Sequence, residues 1–460
     1  MKILLQIKET IFRFPFVMAA CFIGVIEMIV ALQADLFVYP ELTKIILNIF
    51  LVVMLAIPIF ISIRLFSESR QIKFNYQLIV NILMTVVFVG VYFLMPENIS
   101  DTVYGFIYIP IAVAVWSMTF VSAYLNRNGH GDFLKFTQNV IIHGLIYGFL
   151  CGVLMFGIMI AVMAIKALFE FSFHPERIIY NLGAVIFGLG LPILILRTVH
   201  KKFVGIEEPS INITLVKILS KYILFPLIAV YFLIIYSYAF KIIFTAVWPE
   251  GIVATVVLAF IVLALLTMFI SYSYYERTRV RHLFTAIFSA IIPMAILLLV
   301  AVSVRVSEYG VTESRYFVTL SGIIFIMISI YYLIARTKFN WKFVVIGLAV
   351  IAILTTFGPW SAVSMSRGSQ LEQLEDEMDG FGLMVDGKVV KPREPNFYIG
   401  YYWEDGEYGM LVHNLHTYNR KYGIEPMNSW FYAEEYDSIY DLLKNGLNLQ
   451  MTTDKSKIKN

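Results

Sequence analysis

Residues 252–275 read IVATVVLAFIVLALLTMFISYSYY, and residues 276–281 continue as ERTRVR. The first segment has no charged residue and is longer than the roughly 20 residues that a helix rising ~1.5 Å per residue needs to cross a hydrocarbon layer about 30 Å thick. Arg277, Arg279 and Arg281 then supply the kind of positive cluster that membranes retain on the cytoplasmic side. One stretch thus predicts both a span and its direction.

Working outward, comparable runs occupy Phe14 to Ala34, Leu42 to Ile63, Gln77 to Met95, Val103 to Tyr124, Val140 to Leu168, Ile178 to Leu196, Tyr222 to Phe244, Leu283 to Val304, Phe317 to Ala335 and Trp341 to Phe357. With Ile252 to Tyr275 they make about 11 transmembrane helices, and the expected fold class is an all-α polytopic membrane protein. Composition agrees: 59% of the 460 residues are hydrophobic and 15% charged, which excludes a soluble globular chain. The net charge of +3 comes without a basic run, so no nucleic acid is expected as partner; the lipid bilayer is. The first run is too long for a cleaved leader and is expected to remain as an anchor. Cys21 and Cys151 lie inside apolar runs and suggest neither a disulfide framework nor a thiolate metal site.

Lys and Arg in alternate connections number 19 on one side and 6 on the other. The N-terminus is therefore expected in the cytoplasm. Residues 1–357 hold 25 Lys/Arg and 16 Asp/Glu, whereas residues 358–460 hold 10 and 16. The expected division is a transmembrane helical domain over 1–357 and a small, acidic, extracytoplasmic α+β domain over 358–460. In that tail, Ser369 and Glu372 suggest a capping box for a short helix carrying Leu371, Leu374 and Met378. Asp386-Gly387 between Leu383-Met384-Val385 and Lys388-Val389-Val390 predicts a two-residue hairpin. Further expectations are a strand at Tyr398 to Trp403, helices at Met410 to Tyr422 and Asp437 to Lys444, and a frayed end over Thr452 to Asn460.

Three stretches resemble a family of bacterial multi-pass membrane proteins known by a shared domain of unknown function. They are Pro226-Leu227 through Tyr231, Tyr238 and Lys241 to Trp248-Pro249-Glu250-Gly251; Arg305 through Tyr309-Gly310-Val311-Thr312-Glu313-Ser314-Arg315-Tyr316; and Phe357-Gly358-Pro359-Trp360-Ser361-Ala362 with Ser366, Ser369-Gln370 and Leu374. The resemblance implies a bacterial inner-membrane location and brings no activity, substrate or cofactor with it.

Standard catalytic signatures are missing: no phosphate-binding loop, no His-Glu-x-x-His and no Gly-x-Ser-x-Gly. The expectation is a non-enzymatic protein with no cofactor and no metal; His413 and His416 alone do not make a metal site. Glu27 is the single carboxylate deep within a predicted span, and Asn48 on the next helix lies at a similar depth. Gly188, Gly190 and Pro192 mark a candidate helix break. Gly144, Gly148 and Gly152 form a ridge suited to close packing. Tyr236, Tyr238, Lys241, Arg305, Glu308, Glu313 and Arg315 gather at the outer helix ends as a polar cluster, suited to an anionic solute, a lipid head group or an envelope protein. The acidic tail is expected to dock there through those cations, with Trp360, Leu371, Leu374 and Met378 adding apolar contacts. The two functional expectations are envelope transport of a small or anionic solute and, as the alternative, an envelope sensor or scaffold working through the tail, whose Trp403, Tyr408, Trp430 and Phe431 form a docking surface or a core.

Overall fold

A computed structural model describes residues 2–33, 40–95, 101–125, 130–169, 174–199, 203, 213–245, 252–272, 279–390, 397–400, 409–431, 442 and 449–452. Its helices are α1 (Lys2–Arg13), α2 (Pro15–Gln33), α3 (Pro40–Arg70), α4 (Phe74–Phe93), α5 (Asp101–Val121), α6 (His130–Phe169), α7 (Pro175–Val185) and α8 (Leu191–Arg197). Next come α9 (Ile213–Leu219), α10 (Phe225–Thr245), α11 (Ile252–Ser271), α12 (Arg279–Tyr309), α13 (Glu313–Ala335) and α14 (Trp341–Leu354). Helices α15 (Ala362–Gly380), α16 (Gly409–Tyr422) and α17 (Glu425–Asn428) belong to the tail, with strands β1 (Met384–Val385), β2 (Lys388–Val389), β3 (Phe397–Gly400) and β4 (Leu449–Thr452).

Among the described residues, 10 helical segments are long and apolar enough to cross a membrane, and α14 is a shorter apolar helix. The protein is a polytopic all-α membrane protein with a small mixed C-terminal module. At 14 residues, α14 is about 21 Å long. It packs through Ala349 and Ala352 onto Ala114 of α5, where small side chains let backbones approach.

The first run forms α2, which Pro15, lacking a backbone donor, opens, and before it α1 is a separate amphipathic helix against α8. At the same end, Glu68 of α3 accepts from Arg13 Nε (2.9 Å) and Nη2 (2.6 Å) and from Arg64 Nε (2.8 Å). Arg64 Nη1 continues to Gln77 of α4 at 2.8 Å. This charge-assisted network ties α1, α3 and α4 together beneath the membrane core.

Two spans contain a π-turn, Ile186–Gly190 between α7 and α8 and Ser220–Leu224 between α9 and α10. Each turn ends two residues before a proline, Pro192 or Pro226. Proline's ring would collide with the carbonyl four residues back, at Gly188 or Tyr222, and widening the helix by one residue relieves that collision. The expected break at Gly188, Gly190 and Pro192 therefore takes the form of a continuous but widened helix. Pro58, Pro110 and Pro293 sit in helices without such a turn. Of the glycine ridge on α6, Gly144 faces Ile195 of α8, 3.7 Å from where a Cβ would stand, whereas a Cβ at Gly148 or Gly152 would meet nothing within 4 Å among the described residues.

In the tail, Ser361 rather than Ser369 caps the helix, accepting from the Ser364 amide at 3.2 Å. The cap falls earlier because the chain leaves the bundle at Gly358, whose φ is +88°. The Asp386-Gly387 hairpin forms as expected, both residues having positive φ (50° and 72°). Helix α16 ends at Gly423, also at positive φ. Strand β3 pairs in parallel with β4, so Thr452 lies in a strand and not in a frayed end. The expected helix at Asp437 to Lys444 lies outside the described residues, apart from Leu442, and so do Trp403 and Tyr408. Trp430 is 1% exposed and forms a core with Leu374, Met378, Met384 and Leu415. Its indole donates to Glu375 Oε1 at 2.7 Å.

Candidate functional site where the C-terminal module meets the bundle

The connection from α12 to α13 is three residues long, Gly310-Val311-Thr312. Gly310 has φ +65°, and a Cβ there would come within 2.8–2.9 Å of Gln373 and Ser369 on α15. Glycine is needed both for the backbone angle and for the crossing of α15 overhead. Ser369 Oγ accepts from the Val311 amide at 2.9 Å, and Gln370 Nε2 donates to the carbonyls of Tyr309 (3.1 Å) and Val311 (3.3 Å). Arg315 Nη1 bonds the Tyr309 and Gly310 carbonyls at 2.9 and 2.7 Å.

Thr312 caps α13, and Glu313 begins it, 1% exposed. A carboxylate at a helix N-terminus is favoured by the aligned backbone dipoles. Glu313 is also matched by the tail: Lys421 of α16 forms an ion pair with its Oε2, and the Tyr422 hydroxyl donates to Oε1 at 2.6 Å. Ser366 Oγ lies 2.7 Å from the same hydroxyl, and donates to it because Tyr422 gives its own proton to Glu313. Burial pushes the Tyr422 hydroxyl well above its ordinary range, and its bond to Glu313 pushes it further. Tyr418, one turn earlier, is pushed by burial to about 12. Both phenols stay neutral donors.

Beside this junction is a cavity of about 330 Å³ whose lining includes Arg315, Gln370, Glu377, Asn414, Tyr418 and Lys421. Asn414 Nδ2 donates to Glu377 Oε2 at 3.0 Å. Cationic, anionic and amide groups on α13, α15 and α16 thus surround a space large enough for a few small polar groups.

Of the residues singled out from sequence, Glu313 and Arg315 belong to this junction, and Arg305 lies within electrostatic range of Arg315. Glu308 is exposed beside it, its carbonyl 3.5 Å from Gln373 Nε2. Tyr236, Tyr238 and Lys241 sit elsewhere, on α10: Tyr236 donates to the Ala290 carbonyl of α12 at 3.2 Å, Tyr238 packs at the edge of the core, and Lys241 is exposed. The tail docks with the charge signs reversed from expectation, a buried membrane-side acid meeting a tail lysine. Leu374 and Met378 serve the module's own core. Trp360 is 56% exposed and folds back to donate to the Leu354 carbonyl at 2.9 Å. Lys421 and Tyr422 were not anticipated, their one sequence signal being the basic end of α16, Asn419-Arg420-Lys421-Tyr422, inside an acidic tail; Ser366 entered only as part of the third resembling stretch. Among the described residues no group of three His, Cys, Asp or Glu has metal-binding geometry.

Glu27 is 7% exposed in the middle of α2, and neither carboxylate oxygen has a hydrogen-bond partner among the described residues. The Phe50 backbone of α3 approaches it, and no hydrogen bond joins Glu27 to Asn48, which is half-buried two residues away from Phe50. On its other side α2 packs against α7 and the first π-turn, with Val25 filling the place where Gly188 has no side chain.

The family described as a domain of unknown function, DUF4153, matches residues 48–376. The chain belongs to this family. The matched segment includes Gly310, Glu313, Ser366 and Ser369, and leaves Glu27 and α16 outside. No curated protein and no solved structure matches the chain.

Proposed function

We propose that this integral membrane protein is a non-enzymatic envelope sensor or scaffold of the bacterial inner membrane. Its N-terminus is cytoplasmic, and residues 358–460 form a separate extracytoplasmic domain that communicates with residues 1–357 through the head of α13. The observation that carries this reading is the Lys421 to Glu313 ion pair, reinforced by Tyr422. A buried pair is weakly stabilising when intact and strongly destabilising when one partner is removed, which suits a contact with docked and released states. An anionic solute, lipid head group or acidic segment of an envelope protein entering the adjacent cavity would compete with Glu313 for Lys421.

The test uses cysteines at Glu308 and Gln373, in a chain lacking Cys21 and Cys151, in intact membranes. Efficient crosslinking in the parent and its loss in Lys421→Met support coupling; unchanged crosslinking in that variant refutes it. Thiol labelling at Lys73 and Glu425 with a membrane-impermeant reagent checks direction, with only Glu425 reacting in intact cells.

Envelope transport of a small or anionic solute is the second reading, favoured by Glu27 lying beside a widened helix within the membrane.

A further inference from the structure

We propose that Glu27 is a reversible intramembrane proton-binding site, held as the neutral acid where α2 packs on α3. It is the only charged-type residue of α2, it is buried, and both oxygens are without hydrogen-bond partners among the described residues. An ionised carboxylate in that setting is strongly disfavoured unless a counter-charge faces it.

Among the described residues of the packed elements, no charged residue stands level with it along the helix axes. On α3, Lys44 is six residues from Phe50, about 9 Å along the axis, Glu41 lies beyond it, and Arg64, Glu68 and Arg70 are at least about 21 Å the other way. The π-turn has no titratable residue; on α7, Tyr180, Arg177 and Glu176 are about 9–15 Å from Ile186 by the same rise. The charges of α1 (Lys2, Lys8, Glu9 and Arg13) are at the basic end, and Arg13 is committed to Glu68.

The surroundings also explain why the site is releasable. Pro192 has no backbone N–H, so the usual helical donor to the Gly188 carbonyl is missing, next to the point where Val25 meets Gly188. Small relative movement of α2 and this turn changes what the acid faces. One turn below Glu27, Ile23 borders an apolar, lipid-side cavity of about 530 Å³ lined also by Ala20, Ile49, Val53 and Phe88. A hydrophobic reagent is expected to approach the acid from that side more readily than a water-soluble one. The inference bears on the transport reading without requiring it, because protonation and solute flux are measured separately.

The experiment treats the full chain in native membranes with dicyclohexylcarbodiimide and locates the adduct by mass spectrometry. A protonated carboxyl adds across one C=N bond, its proton passing to nitrogen, and the O-acylisourea rearranges to a stable N-acylurea with no atom lost. The expected result is one adduct on Glu27, with a rate that falls as pH rises, and none in Glu27→Gln recovered at parental abundance. Infrared difference spectra of the parent between acid and alkaline pH should show a carboxylic-acid carbonyl band that Glu27→Gln lacks. This second measurement needs no reagent access. Absence of that band overturns the proposal, as does a pH-independent adduct yield. Failure of a flux assay with the band present overturns transport only.

Discussion

Lys421 and Glu313, 108 residues apart in sequence, are joined in a buried ion pair that fixes the end of α16 onto the first residue of α13. The pair links two hydrophobic cores that otherwise have separate memberships, one in the helical bundle and one in the C-terminal module. A contact that stores so much of the connection in one charge pair makes the junction sensitive to single substitutions.

Glu313→Gln should release the module and lower the resistance of α16 to protease by roughly 2–4 kcal/mol of local opening free energy. The value is set below that of a fully buried pair because the Lys421 side chain remains 22% exposed. Adding Lys421→Met to that variant should recover part of the loss, because the uncompensated charge is then gone. Equal protection in parent and single variant would show that the pair does not hold the module.

Gly310→Ala combines a disfavoured backbone angle with overlap against Gln373 and Ser369. A destabilisation of about 1–3 kcal/mol is expected, and the 308/373 crosslink should weaken with the bundle otherwise intact. Gly368→Ala is the control, since a Cβ there meets nothing within 4 Å.

His416 gives the module a pH dependence. Burial lowers the imidazole's pKa, with His413 adding to the effect, so the folded value lies below the ordinary 6.5. The folded module thus favours the neutral ring. Its stabilisation is complete above the unfolded pKa and is lost as pH falls through the folded one. Protease resistance of the module should decline below about pH 6.5, and His416→Gln should flatten that decline.

Gly188→Ala should destabilise by roughly 1–3 kcal/mol by pressing on Val25, and Val25→Ala should rescue it in the double variant. Additive losses in thermal unfolding would mean that the two helices do not meet at this pair.

The membrane spans were legible because crossing a bilayer demands only apolar length, which survives without knowing any contact. The hairpin at Asp386-Gly387 was legible for a local reason too, the need for positive φ at two successive residues. Ser369 was misread because a Ser followed by Glu three residues on has the same appearance whether the serine caps its own helix or, as here, accepts from Val311 in the connection between α12 and α13. The docking charges were inferred from averages over the tail, whereas one lysine at the end of α16 decides them. Amphipathic α1 was hidden by the apolar run it adjoins. The β3 to β4 pairing joins residues about 50 apart, a relation that no local pattern encodes.

The two π-turns also set the rotational phase of their helices. Each contains one residue more than an α-helical path would, so the side chains that follow are turned by about 100° from where an uninterrupted α-helix would aim them. Deleting one residue within 186–190 would leave a rod of nearly the same length with both ends in place. Everything from Leu191 onward would keep its facing, because the deletion removes the one residue that the widened turn absorbs, and the buried Leu196 would stay in the core it now joins. Through these spans one residue can therefore be lost at the π-turn without re-aiming the rest of the helix, whereas the same deletion in a regular stretch would rotate it.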